Sequence, residues 1–205
     1  MPTLISGSTG VNKIQDGTIV NADINASAAI AGTKLVMPSG SVLQVQSVVV
    51  TTVASSTVTD CSTIGGDVGL NVSITPLSST SKFYVSVDIG IGSTVGGNTW
   101  VGILSKDGSK VGNGTDSGVH KGVLFRAPDH TGGSGTDTNH GVGASGSYMD
   151  STSGTVGTAR TYKLGLAGEG STSYINQVES DYGGGTNHAA ATRTSSTIVV
   201  MEIEK

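Results

Sequence analysis

The sequence predicts an all-β protein, a jelly-roll-like β-sandwich preceded by an extended N-terminal arm. Three observations carry this. Ser, Thr and Gly make up roughly two-fifths of the 205 residues, far above ordinary usage. Charged residues are only 13%, which argues against classical disorder. Apolar residues alternate with small or polar ones over short runs separated by Gly, Pro, Asn and Asp, the signature of strands joined by turns. No segment shows helical periodicity.

Residues 1–36 form one compositional unit. In IQDGTIVNADINASAAIAGTKL the large aliphatics Ile14, Ile19, Ile24, Ile30 and Leu35 recur about every five residues, which is neither the helical 3.6 nor the strand period of 2. Such spacing suits an extended segment that docks by pegs, with small residues letting its backbone lie close to a partner. Packing of these aliphatics on other copies of the same chain is the competing explanation. MPSGS (37–41) then marks a boundary, with the β-domain expected over 37–205.

VLQVQSVVVTTV (42–53) is β-branched and long enough for one bent strand or two short ones. Val68, Leu70, Val72 and Ile74 alternate as a half-buried strand closed by Pro76. Phe83, Val85, Val87, Ile89 and Ile91 alternate likewise. TWVGIL (99–104) is the next strand, and the Asp-Gly of KDG (106–108) signals a hairpin turn. GVLFRAP (122–128) reads as a further short strand. Residues 129–147 read as a long surface loop, with room for one strand in GVGASGSYM (141–149). TYKLGLAG (161–168) and SYINQV (173–178) follow. STIVVMEI (196–203) is nearly continuous in apolar residues, as a central strand buried on two sides would be.

Composition also bounds function. A formal net charge of −4 gives no electrostatic reason to expect nucleic-acid binding. The single Cys61 cannot form an intrachain disulfide, and no run approaches the ~18 apolar residues of a membrane span. MPTLISGSTG has neither the basic nor the apolar region of a secretory leader, so synthesis in a cytoplasm is expected.

Candidate chemistry is sparse. His120, His130 and His140 are too widely spaced for ligands on one element, and polar loop residues are the better reading. GGSGTD (132–137) opens like a calcium nonapeptide, but it occurs once and Asn139 stands where a large aliphatic belongs. No GxSxG, P-loop or HExxH occurs. Glu169, Glu179 and Asp181 could supply a glycosidase pair but read better as a solvated rim. Trp100, Tyr148, Tyr162, Tyr174 and Tyr182 could stack on sugar, although core or interface positions explain them better. Neither an enzyme nor a metal or cofactor site is expected.

The leader LISGSTGVNKIQDGTIVNADINASAAIAGTKL resembles one found in virion proteins of tailed phages, especially those infecting cyanobacteria and other aquatic bacteria. GSVLQV, LNVSITPLSSTSKFYVSVDI, LSKDGSKVGNG and the closing TIVVMEI are similar to a trimer-forming β-domain that often follows it, and more loosely to trimeric jelly rolls of the C1q/TNF kind. The resemblance implies a homotrimeric structural protein on the virion surface. The preferred form is a capsid decoration (cement) protein whose arm binds the major capsid protein. The alternative is a short tail or head fibre, attached to a tail or baseplate protein, whose loops around 129–160 recognise a host glycan.

Overall fold

A computed structural model of the chain describes residues 37–93, 99–127, 141–168, 172–177 and 193–205. All lie in the second of the two units into which the chain divides, Met37–Lys205. The described residues are all-β, with two antiparallel sheets and no helix. The strands are β1 (Val42–Val50), β2 (Ala54–Ser56), β3 (Gly66–Ile74), β4 (Lys82–Ser93), β5 (Trp100–Lys106), β6 (Ser109–Lys110), β7 (Phe125–Ala127), β8 (Gly141–Asp150), β9 (Arg160–Gly168), β10 (Ser173–Ile175) and β11 (Ser196–Ile203).

The six-stranded sheet runs β1-β11-β4, with β8 on the far side of β4 and with β10 and β2 continuing at one end. The five-stranded sheet runs β3-β9-β5, with β6 and β7 both on the free side of β5. Early strands thus pair with late ones, β1 with β11 and β3 with β9, while β4 pairs with β8 and β5 with β7. That nested antiparallel pairing across two sheets is the jelly-roll pattern.

Alternation builds the core. Val68, Leu70, Val72 and Ile74 of β3 face Phe83, Val85, Val87, Ile89 and Ile91 of β4, and all are buried with Trp100, Leu104, Tyr162, Leu164, Leu166, Ile198 and Val200. On the outer face of the five-stranded sheet a smaller cluster forms. There Val101, Ile103 and Ala167 are covered by Val58, Cys61 and Val123 from the 57–65 and 111–124 connections. The hairpin between β5 and β6 turns on Asp107 (φ 49°) and Gly108 (φ 82°), the two positive φ values of a type I′ turn. Gly102 is required for a different reason: a Cβ there would enter the ring of Phe125, which packs over β5.

The 42–53 run resolves as β1, a break at 51–53, then β2. Asn176 holds the break. Buried and at φ 62°, it donates from Nδ2 to the carbonyls of Val50 (2.7 Å) and Thr52 (2.9 Å) and accepts from Ser196 Oγ at 2.6 Å.

The strand that GVGASGSYM (141–149) had room for is β8, which pairs with β4 from Gly92↔Gly141 to Phe83↔Asp150, so the loop reading of 129–147 gives way to strand from 141. One expectation needs correction: β11 is central but buried on one side only, with Ile198, Val200 and Glu202 facing the core and Thr197, Val199, Met201 and Ile203 partly exposed on the outer face.

The sandwich has two unlike ends. At one, the near end, lie the starts of β1, β4 and β9 and the ends of β3, β8 and β11, and the chain before residue 37 joins here. At the other, the distal end, lie the end of β4, the start of β5, the end of β9 and the start of β11.

Candidate interaction surfaces

Two carboxylates buried from water organise the near end. Asp150, last residue of β8, turns inward because it shares the parity of Val142, Ala144 and Tyr148. Its Oδ2 accepts from Tyr162 OH (2.6 Å) and Lys106 Nζ (2.9 Å), with Arg160 Nη1 at 3.4 Å. Its Oδ1 accepts from the Thr152 amide (2.9 Å) and hydroxyl (2.6 Å). Burial alone would raise its pKa, but the bonds from Thr152, Tyr162 and Lys106 outweigh that and hold the carboxyl at about 2. Burial, then the bond to Asp150, pushes the Tyr162 phenol well above its ordinary range. Arg160 also donates to the carbonyls of Thr152 and Ser153 (3.1 Å each) and lies 4.3 Å over the Phe83 ring. The 151–159 connection is therefore fastened to both sheets.

Glu202 does the same for the 75–81 connection. It shares the inward parity of Ile198 and Val200 and accepts from Ser81 Oγ (2.6 Å), Gln44 Nε2 (2.6 Å) and the amides of Leu77 (2.9 Å) and Ser78 (3.0 Å). Burial opposes ionisation here as well, yet bonds from Gln44, Ser81 and those amides lower its pKa. Gly40 N donates to Glu204 O at 2.8 Å, and Glu204 N to Ser41 O at 2.9 Å, so both ends of the unit are tied together.

These fastened connections hold apolar side chains out in solvent. Leu77 is 61% exposed and Val156 54%, and Met37 and Val42 are exposed at the same end. A stiff backbone presenting large aliphatics to water fits a contact surface better than a loop selected for solubility alone.

The outer face of the six-stranded sheet is a second surface. Register places Val45 opposite Met201, Met201 opposite Tyr84, and Tyr84 opposite Met149. These four residues make an unbroken apolar row across β1, β11, β4 and β8, with Val45 50% and Met149 45% exposed. The adjacent row is Ser47, Val199, Ser86 and Ser147, small and uncharged. Large apolar side chains grouped in this way on a sheet face are what a subunit contact would bury.

The anchors Ile14, Ile19, Ile24, Ile30 and Leu35 lie outside the described residues, as do His130, His140, the 132–137 motif, Glu169, Glu179 and Asp181. His120 sits on an exposed turn whose Ser117 and His120 amides and carbonyls pair with each other (2.9 and 3.0 Å). Among the described residues no group of three or more His, Cys, Asp or Glu comes together. Of the five aromatics Tyr182 lies outside the described residues; among the other four, Trp100 and Tyr162 are fully buried and Tyr148 packs against the core from β8, so these form no single platform. The 129–160 stretch is not one loop surface either, because β8 divides it and its 151–159 part lies at the near end.

Sequence reasoning missed Asp150 and Glu202. The available signal was parity: each is an acid on the inward side of an alternating strand, where an unpaired charge would not be tolerated.

Comparison with protein-family models gives no match, and comparison with curated proteins gives none.

Proposed function

We propose that this chain is a structural protein of a phage virion, a capsid decoration (cement) protein that assembles as a homotrimer on the capsid exterior and has no catalytic role. The arm, residues 1–36, binds the major capsid protein through Ile14, Ile19, Ile24, Ile30 and Leu35. Each buried Ile contributes ~1.5–3 kcal/mol before ordering costs, and three arms on one trimer multiply the effect. The observation that carries this reading is the near end. The chain enters there, beside Leu77, Val156 and Val42 held out on connections that Asp150 and Glu202 pin down. Copies associate through the outer face of the six-stranded sheet along the Val45, Met201, Tyr84 and Met149 row.

The test is reconstitution on particles lacking the protein. Full-length chain should restore their resistance to heat or osmotic shock, and Ile19→Asp or Ile24→Asp should lose shell binding while the β-domain stays folded. Particles of normal stability that fail to adsorb to host cells would overturn the cement reading. They would favour the second one, a short tail or head fibre that binds a host glycan. A cavity at the distal end, away from the arm junction, is the observation that keeps that reading in play.

A further inference from the structure

The distal cavity, about 320 Å³, is lined by Thr59, Cys61, Thr99, Val101, Arg126, Ala167 and Gly168. Its floor is a cross-strand row on the outer face of the five-stranded sheet, with Arg126 opposite Val101 and Val101 opposite Ala167. Its overhang is the 57–65 connection, and that connection is braced. Gly168 N donates to Val58 O at 2.9 Å, Lys110 Nζ to Cys61 O at 3.0 Å, and Ser62 N to the Asp60 carboxylate at 2.7 Å.

The geometry points to a binding site for a small sugar carboxylate, of the kind a uronic acid residue carries. Arg126 supplies the recognition. Its Nη2 donates to Thr99 Oγ1 at 2.9 Å, which fixes the guanidinium plane at the rim. Among the described residues no carboxylate pairs with it. A guanidinium presents its donors as a planar fork that matches a carboxylate. Among the described residues no acid lines the cavity, and the nearby Asp60 carboxylate is occupied by the Ser62 amide and hydroxyl. With Arg126 the one cation among the described lining residues, the site suits a monoanion better than a phosphate dianion.

The remaining walls suit a sugar ring. Val101 and Ala167 form an uncharged base, itself nearly closed off from solvent beneath Val58, Cys61 and Val123, and the hydroxyls of Thr59 and Thr99 stand at the margin to meet ring hydroxyls. Small-molecule pockets begin at roughly 300 Å³, so the space takes one ring and not a chain of them. This site does not depend on the virion reading, since ligand binding by the isolated protein is measured without any particle.

The experiment is titration of the full chain with glucuronate, followed by amide chemical shifts, with glucose and inorganic phosphate as comparators. Saturable shifts at Val101, Ala167 and Gly168 with glucuronate are expected, with none from glucose at the same concentration. Arg126→Gln should weaken binding roughly tenfold, and Arg126→Lys should do so less because it keeps the charge but loses the fork. Thr59→Trp, at an exposed rim position, should block the cavity without touching the core. An absence of saturable shifts, or glucuronate binding unchanged in Arg126→Gln, would overturn the site. Equal affinity for phosphate would overturn the sugar-carboxylate assignment.

Discussion

Asp150 is where a single residue has the largest consequence. It is fully buried and faces two cations, so removing it leaves Lys106 and Arg160 unpaired against the core. Asp150→Ala should cost about 3–5 kcal/mol of stability, read as a lowered urea midpoint. Because the folded carboxyl titrates at about 2 against an ordinary 3.8, its contribution is present above pH 3.8 and is lost as pH falls through that interval. Tyr162 acts in the opposite sense. Its raised pKa means the fold favours the neutral phenol, so its contribution holds below pH 10.0 and is lost as pH climbs beyond it. Acid titration of Asp150→Asn, followed by near-UV circular dichroism, should show a smaller low-pH loss than wild type, the remainder coming from groups such as Glu202 whose pKa is also lowered. Alternation was a signal, not used, for where Asp150 points, but its partners come from β5, β9 and residue 152, and no local pattern announces a meeting of that kind.

Among the elements, those with strict alternation were legible and those without it were not. Val68 to Ile74, Phe83 to Ile91 and the Asp-Gly hairpin stand where period and turn chemistry put them. β8 was legible only as room for a strand within a loop, because Gly and Ser fill most of its outward positions and Ala144 and Gly146 thin out its inward ones. That composition reads as loop until β4 is there to pair with it. β7 and β10 are three residues each, shorter than the apolar runs around them, because each pairs with only part of a longer strand. The apolar character of STIVVMEI was read as two-sided burial. One side is the core, and the other contributes Met201 to the exposed row. For the homotrimer proposed above, Met201→Asp or Tyr84→Glu should leave far-UV circular dichroism unchanged and shift the sedimenting species to smaller mass. Retention of the native assembly by both variants would remove that face from the contact.

For the molecule as a whole, the strand order makes folding a long-range affair. β1 pairs with β11 and β3 with β9, so the sheets close only after distant segments meet. Refolding should accordingly run on the millisecond-to-second scale, measured by stopped-flow Trp100 fluorescence. Deleting residues 1–36 should leave the thermal midpoint of the β-domain within a few degrees of the full chain, because among the described residues both sheets and a continuous core are built after residue 37. A large drop would place the arm in the core. The division after residue 36 coincides with a visible change of composition at MPSGS, whereas the unlike character of the two ends needed the strand order. Near-end residues such as Leu77 and Val156 are scattered in sequence, and only the sheets bring them to one side.

The short link between Gly40 and Glu204 also bears on how this protein can be modified. Anything fused after Lys205 would emerge beside Met37, at the same end of the sandwich as Leu77 and Val156. Cargo is better carried at the opposite pole, and a chain rejoined from Lys205 to Met37 and reopened there would present both of its new termini outward.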